Sequence, residues 1–398
     1  MPRNVVAGSR STVSSAGRIK SLDSLRGVAA LTVVFYHCFL LFPGSYAYHH
    51  SPFHGGARDL YSWFTRSPLC LAISGPAAVL VFFALSGLVL TFPLTRGQLV
   101  REYYVKRILR IWPPFAVAIL FSVILEWFVQ PGPIEGFGRW ISFTWNEPLS
   151  AGLVREHLLL LGGTRNGLDN PMWSLTHEMR VSLIFPALVL AMRATPILTC
   201  VISVLMLGLA AVLPAHGNII TTQLAMTASY LFLFASGALL GLHLRAVRSF
   251  VAGLPAWASV TAWIFALSLT TLTPGPNSAV GSICNGVLLL VAGLGALAIV
   301  ALCTTENRVT HCLETPFPSW LGRISYSLYL VHVPIIVGFA YSFPHADKLL
   351  LITAGIAVSV LAAEALNRLI ETPSEISGRW LAHKLRLAKA GSCPRIAE

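Results

Sequence analysis

The segment GSICNGVLLLVAGLGALAIVALC, residues 281–303, has 23 positions and no charged side chain. A helix of about 20 apolar residues spans the hydrocarbon core of a bilayer, so this segment predicts a membrane-spanning helix. The whole chain of 398 residues is similar, with 55% hydrophobic and only 11% charged residues and a mean hydropathy of +0.70. A soluble globular chain has about 25% charged residues. The composition therefore predicts an all-α polytopic membrane protein.

Ten segments of this kind occur along the chain. Their predicted bounds are 25–43, 73–94, 110–130, 174–193, 196–213, 225–244, 254–273, 281–303, 323–342 and 348–371. The fourth segment is the least apolar, because it contains His177, Glu178 and Arg180. We expect about ten transmembrane helices, with both termini in the cytoplasm.

The distribution of basic residues supports this topology. With a cytoplasmic N-terminus, 21 of the 28 Lys and Arg residues fall on the cytoplasmic side and 7 on the other, as the positive-inside rule requires. The net charge of +12 is thus explained by contact with anionic lipids, without nucleic acid. We predict a cytoplasmic N-terminal segment (1–20) without a cleaved signal peptide, a transmembrane domain (21–373) and a basic cytoplasmic tail (374–398).

Cysteine gives no indication of a metal site or of structural disulfides. There are seven cysteines, an odd number, and no CxxC pair. Neither a zinc site nor a disulfide framework is therefore predicted. As a separate expectation, the protein holds no bound metal or cofactor.

The first apolar segment opens with SLDSLRG, residues 21–27, and later carries His37. Arg26 and His37 are eleven residues apart, so they share a helix face and lie about 16 Å apart along the axis. Ionisable groups inside a membrane are costly, and their default interpretation is functional. A neutral imidazole at this depth can accept a proton. The alternative is a structural histidine bonded to a neighbouring helix.

The second and third segments contain two further patterns that are less specific. In FFALSG, residues 82–87, Ser86 is interpreted as a small packing residue that lets helices approach closely. Arg107 and Arg110 are three residues apart, so they share a face where a helix enters the membrane. Such a pair fits phosphate groups, although anchoring to lipid headgroups explains it equally well.

The fourth and ninth segments have polar residues at membrane depth. The fourth includes NPMWSLTHEMR, residues 170–180, in which Glu178 is two residues from Arg180. This carboxylate is predicted to relay protons, to position a hydroxyl, or to pair with Arg180. The ninth includes GRISYSLYLVH, residues 322–332, whose hydroxyls and His332 are predicted to line a polar cavity.

Together these segments resemble the membrane-bound acyltransferase 3 family. That family has an S-L-D-x-L-R-G start with R-x10-H, followed by F-F-x-L-S-G, R-x-x-R, W-S-L-x-x-E, S-Y-x-x-Y-L-x-H and a terminal E-x-P. All six occur here in this order, and they span residues 21 to 373. One such motif is weak evidence, but six in sequence form a specific pattern.

The resemblance implies O-acylation of a carbohydrate, a lipid-linked sugar or a small molecule, with acyl-CoA, and acetyl-CoA in particular, as the donor. It also implies about ten helices in a bacterial inner membrane. Residues 179–182 depart from many members, which affects the identity of the acceptor more than the chemistry. Many relatives have a C-terminal esterase-like domain that this chain, ending at 398, is expected to lack.

The resemblance also implies residue roles. His37 corresponds to the catalytic base, and Arg26 is its partner in R-x10-H and also a donor-binding residue. Arg107 and Arg110 correspond to a donor-binding pair, and Glu178 to an acid that orients the hydroxyl or His37. The residues expected to line the cavity or contact the acceptor are Asp23, Trp173, Ser174, His177, Ser325, Tyr326 and His332.

The sequence leaves two other classes of function open. A proton-coupled transporter would also use intramembrane His37 and Glu178, although transporters commonly have two related halves with broken helices, and no internal repeat is visible. A scaffold in a polysaccharide-assembly complex would not depend on His37. The oligomeric state is not indicated by the sequence.

Overall fold

The computed structural model describes residues 19–43, 68–160, 167–213, 219–274 and 280–391. Within these ranges the chain is helical, without a β-strand. The α-helices are α1 (Lys20–Phe39), α2 (Gly75–Thr95), α3 (Val100–Val129), α4 (Ala151–Leu158), α5 (Met172–Ala194), α6 (Pro196–Val212), α7 (Ile219–Leu242), α8 (Leu244–Ala252), α9 (Ala256–Thr270), α10 (Ile283–Leu302), α11 (Arg308–Leu313), α12 (Pro316–Ser342), α13 (Lys348–Leu366) and α14 (Thr372–Gly391). Two 3₁₀-helices (Pro68–Ile73 and Arg139–Phe143) and a π-helical turn (Asn367–Glu371) complete the described elements.

Seven helices of the described part of the chain are long and apolar enough to cross a membrane. They are α2, α3, α5, α7, α10, α12 and the continuous helix that begins with α13. An eighth is added if α8 and α9, which are bent by 119° relative to each other, form one span. The chain is therefore an all-α polytopic membrane protein. Helices α1 and α6 lie at predicted positions but are not among the seven, so the count of ten stays a prediction.

The structure differs from the sequence-based expectation at the bounds of several helices, and two of the differences affect the ends of α3 and α13. Helix α3 begins at Val100, ten residues before the predicted start, because its polar first turns pack against α14. The helix that contains α13 does not end at Glu371-Thr372-Pro373 but continues into α14. Pro373 has no N–H and its ring would crowd the carbonyl four residues earlier. A π-helical turn, in which the Thr372 N–H bonds the Asn367 carbonyl, accommodates it.

Most of the predicted N-terminal segment, residues 1–18, lies outside the described residues, as does the end of the tail from residue 392. The described part of the tail belongs to α14, which is not separated from α13 by a loop. The proposed division into three regions stays a prediction.

Helices α1 and α12 run parallel and cross at two glycines. A Cβ atom added at Gly27 would overlap backbone atoms of Leu321 and Gly322, and one added at Gly322 would overlap the backbone of Asp23. Small residues allow helices to approach this closely in a membrane. This contact sets the register between the two helices that carry the histidines discussed below.

The apolar core has two main parts, and helices of both parts line the cavity described below. One part is built around α1, α3, α12 and α13, and the other around α2, α5, α7 and α10. The helix ends that carry Lys20, Arg96 and Arg245 lie together. We call this the basic end of the bundle, and the other the opposite end.

Candidate active site

A cavity lies between α1, α2, α3, α5 and α12; it has about 650 Å³ of empty space when the adjoining open solvent is included. Its charged lining consists of Arg26, Arg107, Arg110 and Glu178. The Arg110 side chain is 44% exposed, so it marks the mouth of the cavity. Three guanidinium groups face one carboxylate, which makes the cavity suited to an anionic ligand. The remaining polar and aromatic lining includes Ser86, Ser174, Ser325, Tyr326, Tyr329, Phe82 and Phe83.

Glu178 is held in the cavity by groups from two other helices. Its Oε1 atom accepts hydrogen bonds from the Ser86 hydroxyl, at 2.7 Å, and from Arg107 Nη2. The Nε–H of Arg107 donates to the Ser182 hydroxyl at 3.0 Å. The interpretation of Ser86 as a packing residue was therefore incomplete, because its hydroxyl directly supports the carboxylate. Glu178 pairs with Arg107 rather than Arg180, since residues two apart on a helix do not face each other.

The other two arginines of the cavity are held less completely. Arg110 Nε lies 3.4 Å from Glu375 Oε1 on α14. Arg26 lies within electrostatic range of Glu178, Asp23 and Arg110. No side chain in the described ranges forms a hydrogen bond or a salt bridge with Arg26. Its donors are therefore available to a ligand.

The two predicted histidines form a buried pair. His37 Nδ1 is 2.8 Å from His332 Nε2, and His332 Nδ1 is 3.0 Å from the Leu328 carbonyl oxygen. A carbonyl only accepts, so His332 carries its proton on Nδ1 and, when neutral, accepts at Nε2. His37 must then carry its proton on Nδ1. No described group hydrogen bonds to Nε2 of His37, so the lone pair on that atom can accept a proton.

The histidine pair is separated from the cavity by aromatic side chains. His37 and His332 do not line the cavity, whereas Tyr329 and Phe82 do. The Tyr329 and Phe82 ring centroids are 5.7 Å apart, and Tyr329 lies 6.0 Å from the ring of His332. On the far side of His37, the ring of Trp140 stacks at 4.9 Å. We call Phe82 and Tyr329 the aromatic wall.

Hydroxyl groups fix the position of the wall and of α12. The Tyr329 hydroxyl is 2.6 Å from that of Ser174 and donates to the Pro171 carbonyl at 3.3 Å. The Tyr326 hydroxyl donates to the Ile111 carbonyl at 2.8 Å, which ties α12 to α3. Ser325 bonds within its own helix, to the Gly322 carbonyl. Ser174, Ser325 and Tyr326 line the cavity, as the sequence predicted.

Four residues expected at the cavity do not line it. His332 is directed to His37 instead. His177 Nδ1 lies 2.9 Å from the Thr227 hydroxyl on α7, and the rings of Trp173 and His177 meet edge to face with centroids 6.0 Å apart. Asp23 lies one turn before Arg26, beside the crossing with α12. These positions follow from helix periodicity, because neighbours of a cavity residue point to other faces. Their roles in the reaction stay predictions.

The loop before α5 contains a buried carboxyl that the sequence did not single out. Burial raises the pKa of Asp169 well above its ordinary value. Neither oxygen has a hydrogen-bond partner among the described residues. Burial also lowers the pKa of His157, whose neutral ring bonds the Leu153 carbonyl and the Leu168 N–H at 2.8 and 3.3 Å. This ring holds the loop in place where α5 begins.

Sequence reasoning missed several partners of the site. Trp140, Ser182 and Glu375 lie outside the recognised motifs, and only the folded contacts identify them. Among the described residues, no group of three or more His, Cys, Asp and Glu side chains could hold a metal ion.

Comparison with known proteins gives one family. A family model described as an acyltransferase domain, that of the acyltransferase 3 group, matches residues 19–368. No curated protein and no solved structure shows a significant match. The matched region contains the cavity and the histidine pair, and it ends within the π-helical turn (Asn367–Glu371).

The pairing of Glu178 with Arg107 predicts a measurable coupling. We expect Arg107→Met and Glu178→Gln to lower the free energy of unfolding in detergent, and the double variant to lose less than their sum, by about 0.5–3 kcal/mol. The reason is that each single change leaves a buried group unpaired. The measurement is a double-mutant cycle of denaturant unfolding. The matched control is Arg180→Met with Glu178→Gln, which should be additive, and equal coupling in both cycles would contradict the assignment.

Proposed function

The chain belongs to the acyltransferase 3 family, and we propose that this membrane acyltransferase moves an acyl group from acyl-CoA to a hydroxyl of a carbohydrate, a lipid-linked sugar or a similar acceptor. The observation that carries the proposal is the cationic cavity, with unpaired donors on Arg26, next to a histidine pair whose tautomers leave a free base. The basic end would face the cytoplasm of an inner or plasma membrane, by the positive-inside rule.

The donor would bind through its phosphates. No described side chain hydrogen bonds to the Arg26 guanidinium, and Arg110 is exposed at the mouth of the cavity. Guanidinium groups are well matched to phosphate oxygens. Arg107 lies deeper and is bound to Glu178. We propose that Glu178 is a positioning residue that holds Arg107, because its hydrogen bonds go to Arg107 and Ser86 and not to His37.

The chemical step would be a direct transfer. His37 Nε2 takes the proton from the acceptor hydroxyl as the oxygen attacks the thioester carbonyl. The carbon–sulfur bond then breaks, the thiolate of CoA takes the proton back from His37, and an ester and free CoA are formed. His332 fixes the tautomer of His37 through the bond at Nδ1. No group is needed to form a covalent acyl-enzyme in this scheme.

The acyl group would be short, with acetyl as the expected case. A thioester bound from the cavity reaches His37 only past the aromatic wall. Beyond the wall the neighbours of the histidines are closely packed, since Leu41 and Val333 are fully buried and Trp140 is 3% exposed. A long alkyl chain would have to displace these side chains, which costs free energy in a packed core.

The acceptor would reach His37 from the opposite end, where Trp140 covers the ring. Trp140 belongs to a 3₁₀-helix in the segment between α3 and α4. Aromatic rings commonly contact the apolar faces of ligands while polar neighbours fix their orientation. Asp23, Trp173 and His177 were predicted to contact the acceptor, but they do not line the cavity. An acceptor that contacts them would have to bind outside the cavity.

The first prediction from this function concerns the base. In native membrane vesicles, which hold the acceptor, we expect His37→Ala to abolish release of free CoA from acetyl-CoA. His332→Ala should lower the rate about 10–100-fold, because the tautomer of His37 is no longer fixed. His332→Gln should recover part of this loss, since its amide oxygen can accept from Nδ1–H.

Exposed His311 provides the control, and His311→Ala should turn over like the wild type. Wild-type turnover by His37→Ala would refute the base assignment. Uptake of a solute by proteoliposomes without acyl-CoA, together with no CoA release, would instead favour the transporter. Mass spectrometry of surface glycans and lipids from cells with and without the protein would identify the acceptor.

A second prediction tests the phosphate contact of Arg26. Arg26→Gln should raise KM for acetyl-CoA about 10-fold or more, since a hydrogen bond to a charged group is lost. It should leave KM for S-acetylpantetheine, which lacks the phosphates, unchanged. Steady-state kinetics with both donors make the comparison. Arg193→Gln, at an exposed position outside the cavity, is the control, and an equal effect of Arg26→Gln on both donors would contradict the assignment.

A third prediction tests the aromatic wall. Phe82→Ala should increase the use of octanoyl-CoA relative to acetyl-CoA by about 10-fold, because removing the ring opens space for methylene groups. Tyr329→Phe keeps the ring and should keep the wild-type preference, whatever its rate. Competition between the two donors, read by mass spectrometry of the products, gives the ratio. An unchanged ratio in Phe82→Ala would rule out the wall as the determinant of chain length.

A further inference from the structure

A second, larger concavity lies at the basic end of the bundle, away from the candidate active site. It is an open groove with about 2020 Å³ of empty space between the ends of α1, α2, α7, α8 and α10. Its lining includes Lys20, Arg96, Arg245 and Arg248. We call these four residues and the space between them the basic groove. None of the four lines the cavity that contains Arg26.

The cations of the basic groove are not neutralised by the described part of the chain. No salt bridge joins Lys20, Arg96, Arg245 or Arg248 to a described carboxylate. Two carboxylates, of Glu306 and Glu314, also line the groove, together with His243. The four cations outnumber the two carboxylates, so the groove has an excess of positive charge. Arg96 additionally lies 6.0 Å over the ring of Phe92.

Helix α8, which forms part of the groove, has the features of a helix that lies at a membrane surface. It has nine residues, about 13 Å of helix, which is too short to cross a bilayer. It is bent by 119° from α9, so it lies across the end of the bundle. Arg245 and Arg248 share one face, while Phe250, 71% exposed, projects from the other side. Short helices with a basic face and an exposed aromatic residue lie in the interface of a membrane.

We infer that the basic groove binds the phosphate headgroup of an anionic phospholipid from the leaflet at the basic end. Charge complementarity selects the headgroup, and α8 holds two of its cations at the depth where lipid phosphates lie. Phe250 sits among the upper acyl chains beside it. A zwitterionic lipid carries its own cation next to the phosphate, so it gains less from the four side chains.

The test uses the full chain, purified and freed of lipid in detergent. A mixture of phosphatidylglycerol and phosphatidylcholine with identical acyl chains is added, and bound lipids are counted by native mass spectrometry. We expect the wild type to retain phosphatidylglycerol in preference. Arg245→Gln/Arg248→Gln should reduce this preference about 10-fold or more, given the contribution of each cation near an anionic surface. Both side chains are exposed, so the fold should be kept.

Two further double variants test whether the lipid preference depends on the basic groove in particular. Lys20→Gln/Arg96→Gln removes the other two cations of the groove and should have the same effect. Arg193→Gln/Arg379→Gln removes two exposed cations from outside it and should keep the wild-type preference. An equal loss in this control pair, or no loss in either groove variant, would overturn the site.

Competition with inorganic phosphate distinguishes binding of the lipid headgroup from binding of free phosphate. If millimolar inorganic phosphate displaces phosphatidylglycerol from the wild type, the groove recognises free phosphate and the lipid assignment is wrong. If it does not, while the groove variants lose the lipid, the assignment stands. The outcome does not depend on acyl transfer, because no acyl-CoA is present.

Discussion

The parallel, in-register contact between α1 and α12 is the constraint on which the site depends. Gly27 and Gly322 allow the two backbones to touch, and their separation in sequence is the same 295 residues that separates His37 from His332. Ten residues beyond the glycine crossing on each helix, the two imidazoles therefore meet. A side chain at the crossing would push the helices apart and lengthen the hydrogen bond that fixes the tautomer of His37. Packing near the basic end thus sets the geometry of the histidine pair, on which the proposed reaction depends.

Buried charge imposes the second constraint. An arginine at membrane depth needs a partner, and Arg107 obtains two, Glu178 and Ser182, from α5. Ser86 on α2 then completes the support of the carboxylate. Arg26 differs from Arg107, because no described side chain hydrogen bonds to it. The fold thus uses Arg107 to join helices, while the guanidinium of Arg26 is the one that the proposed function assigns to a ligand.

Much of the fold was predictable from the sequence, because apolar length and charge bias are strong signals. Every predicted segment coincides with a helix. The predicted bounds were wrong where a tertiary contact extends a helix, as at Val100 in α3. Residues of the candidate site could be selected from the sequence where an ionisable side chain interrupts an apolar run, as His37 does, although their roles stay predictions. The partner of His37 was not, because pairing between distant helices has no sequence period, and His332 was expected at the cavity instead. Trp140 gave no signal, since a tryptophan in a loop near a membrane has many explanations.

The positions of Arg26 and His37 also limit the kind of donor. Both lie on one rigid helix, about 16 Å apart along its axis. In the proposed reaction, the phosphate of the donor is bound near Arg26 while its carbonyl is attacked near His37. An acyl phosphate has its carbonyl beside the phosphate, so it cannot satisfy both groups at once. Acyl-CoA places a long flexible arm between phosphate and thioester, and that arm can pass Phe82 and Tyr329 while the phosphates stay bound. The separation on α1 therefore favours a donor with an extended arm over a compact one.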